Sequence, residues 1–265
     1  MKHRIPLVLV AAAATVALAA CSSTTASPPA ASPPVSASAP TAARTTYPVT
    51  ITDCGGRTTT YTQAPQRVVT IDPNIAESLL MLGLGDRIVG LTQFYSPEQQ
   101  WAPVRAEMAT LPVINKDGNY PSKEAIVAEN PDLVTSIYPY GFMDPLPDRD
   151  GWQKLGVRTY QSLGECDGSK ATDFSLMYED LHNLGVIFDV QDRAEVVITD
   201  LRTRVEAAQQ RLAAAGTTAG VVLTHDGTKD HPGAYGSTAN AVIHLAGGTY
   251  PFIDVPLDRA PSWEE

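Results

Sequence analysis

The stretch Arg67-Val68-Val69-Thr70-Ile71-Asp72-Pro73-Asn74-Ile75-Ala76-Glu77-Ser78-Leu79-Leu80-Met81-Leu82-Gly83-Leu84-Gly85-Asp86-Arg87-Ile88-Val89-Gly90-Leu91 decides the fold. Arg67 to Asp72 is a short apolar run that reads as a strand, and Ile75, Leu79 and Leu82 then recur at helical spacing. Gly83 and Gly85 supply the helix stop, and Arg87 to Leu91 is strand-like again. The rhythm continues downstream. Residues 97–109 are expected to form a helix, Val113-Ile114 a brief strand, and Pro121 to Asn130 a short helix. Leu133 to Tyr138 reads as a strand, Trp152 to Leu155 as a turn of helix, and Val157 to Tyr160 as a strand. Strands alternating with helices predict an α/β fold whose parallel sheet is covered on both faces.

Upstream, two β-rich runs, Thr50 to Thr52 and Thr58 to Thr62, flank Cys54-Gly55-Gly56 and predict a hairpin. Further out, Ser22 to Thr46 is almost wholly Ser, Thr, Ala and Pro, a composition that cannot bury enough apolar surface to offset ordering entropy. It reads as a flexible tether. Lys2 and Arg4 precede an uncharged apolar run from Ile5 to Ala20 that ends in Leu18-Ala19-Ala20-Cys21. That run is shorter than the roughly 20 residues a membrane-spanning helix needs and has the layout of a signal peptide. Small residues directly before a cysteine resemble the bacterial lipobox, which implies cleavage before Cys21 and a lipid anchor on it. The alternative is a plain secretory signal with an incidental cysteine.

Removing Lys2 and Arg4 with the signal takes the formal charge from −10 to −12, which argues against nucleic acid or anionic lipid as the main partner. Cys54 and Cys166 form an even pair in an exported chain, so a disulfide is expected. Two separate buried thiols are the bland alternative and a zinc site the weaker one.

Between Asp192 and Ala215, Val197, Leu201, Val205, Ala208 and Leu212 mark one stripe of a single long helix, about 35 Å from end to end. Ala219 to His225 then reads as a new strand, followed by a glycine-rich loop and a helix from Ser237 to Ala246. The tetrapeptide Pro121-Ser122-Lys123-Glu124 is echoed by Pro261-Ser262-Trp263-Glu264. An acidic residue in a first helical turn is favoured by the macrodipole, which by itself accounts for either copy.

From about Val49 onward the chain resembles the substrate-binding proteins of ABC importers, in the class that includes ferric-siderophore-binding and cobalamin-binding proteins. The resemblance rests on Arg67-Val68-Val69 leading through Glu77-Ser78-Leu79-Leu80 to Leu82 to Gly90, and on Ser122 to Ile126 leading to Asn130-Pro131-Asp132-Leu133-Val134. It extends through Leu155-Gly156-Val157, Asn183-Leu184-Gly185, Asp192-Arg193-Ala194-Glu195 and Ala246-Gly247-Gly248. It implies two α/β lobes with parallel-type sheets, joined by one long rigid helix. The expected organisation is a signal peptide over 1–20, a lipidated tether over 21–46, a first lobe over 47–190, an interlobe helix over 191–216 and a second lobe over 217–265. The second lobe is expected to be incomplete, because the family's continues past the second glutamate. The resemblance also implies a small-molecule ligand in the cleft and a monomer that docks on an ABC permease, with its ATPase, through Glu124 and Glu264.

Open parallel sheets bind ligands at the C-terminal ends of their strands. That rule selects Asn74, Tyr95, Asn119, Tyr120, Tyr138, Tyr140 and Phe142 from the first lobe, and His225 and Tyr235, near Asp226 and His231, from the second. Ordinary packing is an equally good account of any one of them, since tyrosines are commonly half-buried. A bare-metal site at His225, Asp226 and His231 is disfavoured, because the first lobe offers only His182, on a helix turned from the cleft. The expected cargo is therefore a ferric siderophore or a similarly bulky anionic compound, with cobalamin, haem or a deazaflavin precursor as alternatives and no resident cofactor. No G-x-S-x-G, S-x-x-K or H-E-x-x-H is present, which leaves an exported hydrolase as the weaker reading.

Overall fold

The computed structural model describes residues 44–92, 101–115, 119–166, 171–216, 220–221 and 237–251. A two-stranded antiparallel hairpin comes first, β1 (Val49–Thr52) against β2 (Thr58–Tyr61). There follow β3 (Val68–Thr70), α1 (Pro73–Met81), β4 (Ile88–Thr92), α2 (Arg105–Met108), β5 (Val113–Asn115), α3 (Lys123–Ala128), β6 (Leu133–Ser136), α4 (Arg149–Lys154) and β7 (Arg158–Gln161). The chain continues through α5 (Ser175–Phe188), α6 (Gln191–Ala215) and α7 (Ser237–Leu245). β3 to β7 form one five-stranded sheet in the order β5-β4-β3-β6-β7, with every neighbouring pair parallel.

Side chains alternate between the two faces of a strand, and here both faces are apolar because both are covered. Val68, Leu91, Leu133 and Tyr160 pack into one cluster with Leu79 of α1, Leu184 of α5 and Ile198 of α6. Val69, Ile71 and Val134 face the other way, onto Ile126 of α3 and Trp152 of α4. Full burial of such a side chain contributes about 1.5–3 kcal/mol.

The hairpin is held against the edge of the sheet rather than added to it. Tyr61 Oη donates to the Thr159 carbonyl at 3.1 Å, and Arg158 Nε to the Thr60 carbonyl at 3.1 Å. Below them Arg149 grips Asp53 with both terminal nitrogens, at 2.7 and 2.5 Å, while its Nε donates to Thr159 Oγ1 at 2.9 Å. The Gln161 N–H donates to the same carboxylate at 3.0 Å. The expected disulfide is present: Cys54 in the hairpin turn is bonded to Cys166, just beyond β7, with Cα atoms 5.5 Å apart.

α5 and α6 meet at a corner where Asp189 adopts a left-handed conformation (φ 59°). Gly185 makes the approach possible, since a Cβ there would lie 2.6 Å from that of Ala194. The corner also receives the start of the body. The Thr45 N–H donates to Asp189 Oδ1 at 2.7 Å, and Tyr47 Oη to the Ile187 carbonyl at 2.7 Å. The last three residues of the stretch read as tether, Arg44 to Thr46, therefore belong to the folded body, with Arg44 Nη1 also donating to Asp189 Oδ2 at 2.7 Å.

The long helix is present and spans 25 residues. Its buried residues, Ala194, Val197 and Ile198, all lie in its first third, whereas Leu201, Val205, Ala208 and Leu212 are only half-buried. One expected helix is shorter than read. Of residues 101–109 only Arg105–Met108 is helical, because Pro103 has no N–H to give to the ladder and Trp101 to Val104 form a turn. Residues 97–100 lie outside the described residues. Of the strand expected over 219–225, Val221 makes a parallel bridge to Thr249, and residues 219 and 222–225 lie outside the described residues. The Pro261 to Glu264 echo and the signal-and-tether stretch up to residue 43 lie outside them as well.

Candidate functional site

The strand order places a switch point between β3 and β6. From β3 the chain moves one way through β4 to β5, and from β6 it moves the other way to β7. α1, which follows β3, covers one face, and α4, which follows β6, covers the other, so the loops leaving these two central strands part above the sheet. Such a parting is where open α/β sheets take ligands.

Asp72 occupies that point. It precedes Pro73 at the start of α1, yet its side chain makes no cap for the helix. The carboxylate instead crosses to the neighbouring strand end, accepting from Ser136 Oγ at 2.5 Å and from the Ile137 N–H at 2.9 Å. This ties the two diverging loops together. Gly141 fits the same knot, because a Cβ there would overlap the Ser136 side chain. Burial pushes the Asp72 carboxyl above its ordinary value of 3.8, and the hydrogen bonds from Ser136, Ile137 and Tyr138 only partly offset this. A raised folded value means that its contribution to stability is present below the ordinary value and is lost as pH rises through the folded one. The Asp72 side-chain carbon resonance should therefore titrate above those of exposed aspartates. A midpoint at or below 3.8 would count against this placement.

The sequence-selected residues fall into distinct environments. Asn74 is exposed at the second position of α1. Tyr138 and Tyr140 stand together, ring centroids 6.3 Å apart, and Tyr140 is 58% exposed. Phe142 is turned inward, packed in the core beneath the Arg149 guanidinium at 5.4 Å, where it anchors the loop. Asn119 is exposed, and its carbonyl accepts from Asn115 Nδ2 at 2.8 Å, while Tyr120 is half-buried. Met143, 49% exposed on the loop of Tyr140, and buried Asp72 were not among the residues selected from the sequence. An Asp-Pro step directly after a strand was the available signal for Asp72. Tyr95, His225, Asp226, His231, Tyr235, Cys21 and Glu264 lie outside the described residues.

Glu124 is in the first turn of α3, whose cap Ser122 accepts the Ala125 N–H at 3.1 Å. Its carboxyl is held below the ordinary value by its own backbone N–H and by Lys123. At the end of β7, buried Asp180 accepts from Tyr160 Oη at 2.6 Å, from Ser162 Oγ and from the Leu163 N–H at 2.9 Å. That network fixes the turn carrying Glu165, which accepts from Thr238 Oγ1 of α7 at 2.7 Å. A cavity of about 210 Å³ lies beside α7, lined by Thr172, Asn240, Ile243, His244, Gly248, Thr249 and Tyr250. It is smaller than the clefts that hold drug-sized ligands and contains none of the sequence-selected residues.

Among the described residues no group of three His, Cys, Asp or Glu side chains could hold a metal. His182 is on α5 with its Nδ1 3.2 Å from Glu195 of α6. No described helix is long and apolar enough to cross a membrane.

The model of the family described as "Periplasmic binding protein" matches residues 68–251, which spans the whole five-stranded sheet, α6 and α7. The chain belongs to the periplasmic binding protein family. Members of this family are binding proteins and not enzymes. A structure titled as an ABC-type Fe3+-hydroxamate transport system from Saccharomonospora viridis is similar at 27% identity and TM-score 0.65, covering 80% of this chain and 72% of that one. A periplasmic binding protein from Veillonella parvula shares the fold at 22% identity and TM-score 0.67, covering 83% and 70%. A protein named cobalamin-binding protein from Halobacterium salinarum is 33% identical over 91 residues, which are 33% of this chain and 22% of that protein. This periplasmic binding protein thus spans about a fifth of the length of that curated relative. Trp152, at 0% exposure, is too deep to report ligand by contact, whereas Trp101, at 37%, is accessible.

Proposed function

We propose that this protein is the solute-capturing component of an ABC importer, held at the outer face of the cell membrane by a lipid on Cys21, and that its cargo is a ferric siderophore or similar chelate. The observation that carries this reading is the switch point between β3 and β6, with exposed Asn74, Tyr140 and Met143 on the segments that leave those two strands, within a chain that belongs to a binding-protein family. Flat apolar area with polar tips suits a bulky, partly apolar ligand. The likeness to a protein titled for Fe3+-hydroxamate transport supports the cargo class. A corrinoid is the second reading, supported by the Halobacterium relative.

In this reading α6 joins two lobes, and its half-buried stripe beyond Leu201 is where the second lobe, residues 217–265, packs. Tyr95, His225 and Tyr235 complete the cleft, and Glu124 and Glu264 meet cationic residues of the permease. Exposed charge pairs set encounter rate and orientation more than affinity. Replacing Glu124 with Lys should slow docking on the reconstituted permease and ATPase roughly tenfold or more. Ligand binding measured by calorimetry should stay unchanged. Unaltered docking would remove Glu124 from the interface. The cargo is tested by titrating the full chain with ferric siderophores and cobalamin while following Trp101 fluorescence. Turnover of a bound compound would sink the reading.

A further inference from the structure

α7 carries Asn240, Ile243 and His244 at spacings of three and four residues, so the three share one face of the helix. Gly247, at φ 79°, ends the helix in a left-handed turn. Its N–H donates to the His244 carbonyl at 2.9 Å, and the Gly248 N–H donates to the Ile243 carbonyl at 2.8 Å. The turn brings Gly248, Thr249 and Tyr250 back beside that face, and Thr172 joins them from the segment before α5. Between them lies the cavity of about 210 Å³. Asn240 and Tyr250 are buried, whereas Thr172, His244 and Thr249 are exposed, so the cavity has a dry floor and an open rim.

The floor holds an unmet need. Asn240 is 8% exposed, and its Oδ1 is fully buried without a hydrogen-bond partner. Native interiors leave few such acceptors, because each one costs the hydration it gave up. Among the described lining residues only His244 can carry a charge, and it stands near Asp173, whose carboxylate accepts from the Ser175 N–H at 2.8 Å. A net charge on a ligand would therefore find no ionic partner at the floor, where desolvating it is expensive.

We propose that this cavity is a second binding site, separate from the strand-end cleft, for a small neutral compound that presents an amide edge, such as a primary carboxamide or a lactam. The orphaned Oδ1 requires an N–H donor, and the nitrogen of the same side chain is a donor for the carbonyl beside it. Ile243 and Tyr250 supply apolar surface for the rest of the molecule. The volume corresponds to roughly seven liquid-water shares of about 30 Å³, which suits a single ring with one substituent. Such a compound would touch both α7 and the segment that leads into α5, two parts otherwise joined by the Thr238 to Glu165 hydrogen bond at the far end of α7 from His244. The site goes beyond the importer reading and does not depend on the identity of the cargo.

The test is a nuclear magnetic resonance titration of the isotope-labelled full chain with nicotinamide, 2-pyrrolidinone and 3-acetylpyridine, the last keeping the ring and carbonyl of nicotinamide but having no N–H. At ordinary efficiency per atom, a probe of about nine non-hydrogen atoms binds in roughly the millimolar range. At least one of the two amides should shift the Asn240 side-chain amide resonance saturably, and 3-acetylpyridine should bind about tenfold or more weakly than nicotinamide. The substitution Asn240→Leu should abolish amide binding without lowering Tm, since it replaces an unpartnered buried amide by an apolar group of similar size. Equal binding of the ketone and the amides, a saturable shift from neither amide, or amide binding that survives Asn240→Leu would overturn the proposal. So would a fall in the Tm of that variant by about 5 °C or more, which would mean that Oδ1 already has a partner within the protein. Each of these outcomes leaves the importer reading standing.

Discussion

Replacing Arg149 with methionine should cost about 3–5 kcal/mol of stability, because it strips a buried carboxylate of its partner. Asp53 is 2% exposed and Arg149 8%. After the change only the Gln161 N–H remains among the donors to Asp53 described above. Burial already pushes the Asp53 carboxyl upward, and Arg149 is the main force holding it down. In the variant Asp53 should therefore take up a proton more readily, so the loss, measured by urea denaturation, should be largest at neutral pH and shrink on acidification. The paired change Asp53→Asn with Arg149→Met should recover much of the loss, since no charge is then left buried and unmatched. A single-variant loss below about 1 kcal/mol would show that water or another group reaches Asp53.

The second large effect lies one residue away. Changing both Cys54 and Cys166 to serine removes a link between residues 112 apart in sequence. Closing a loop of that length restricts the unfolded chain enough to predict a loss of roughly 2–5 kcal/mol. The hairpin should nonetheless stay docked, because Tyr61, Arg158 and the Arg57–Asp150 pair at 2.5 Å hold it independently. The signature is a lowered denaturation midpoint with an unchanged near-ultraviolet spectrum. Superimposable melts with and without reductant would contradict it. The two effects should not add, since Asp53 and Cys54 anchor the same turn.

Much of the architecture was legible because burial on both faces of a parallel sheet leaves short, mostly apolar, uncharged runs such as Val68 to Ile71 and Leu133 to Ile137, interrupted only by Thr70, Thr135 and Ser136. Glycines at forced turns punctuate them, Gly83 at φ 76° being one. Within the helix expected over 97–109, residues 101–104 were over-read because spacing does not register the donor that Pro103 lacks. The rule of strand ends selected Asn74, Asn119 and Tyr140, which are exposed, together with Phe142, which is buried. An aromatic in a loop reads the same whether it faces ligand or anchors the loop from beneath.

Local chain chemistry, acting over one helical turn or one strand, already determined the alternation of elements, the hairpin, the length of α6 and the expectation that Cys54 meets Cys166. Only the folded arrangement decided that the sheet runs β5-β4-β3-β6-β7, that Asp72 reaches across to Ser136 instead of capping α1, and that Arg149 spends its charge on Asp53. Those outcomes depend on which groups, distant along the chain, are driven into the same dry space. A carboxylate or guanidinium shut away from water must take whatever partner the packing brings.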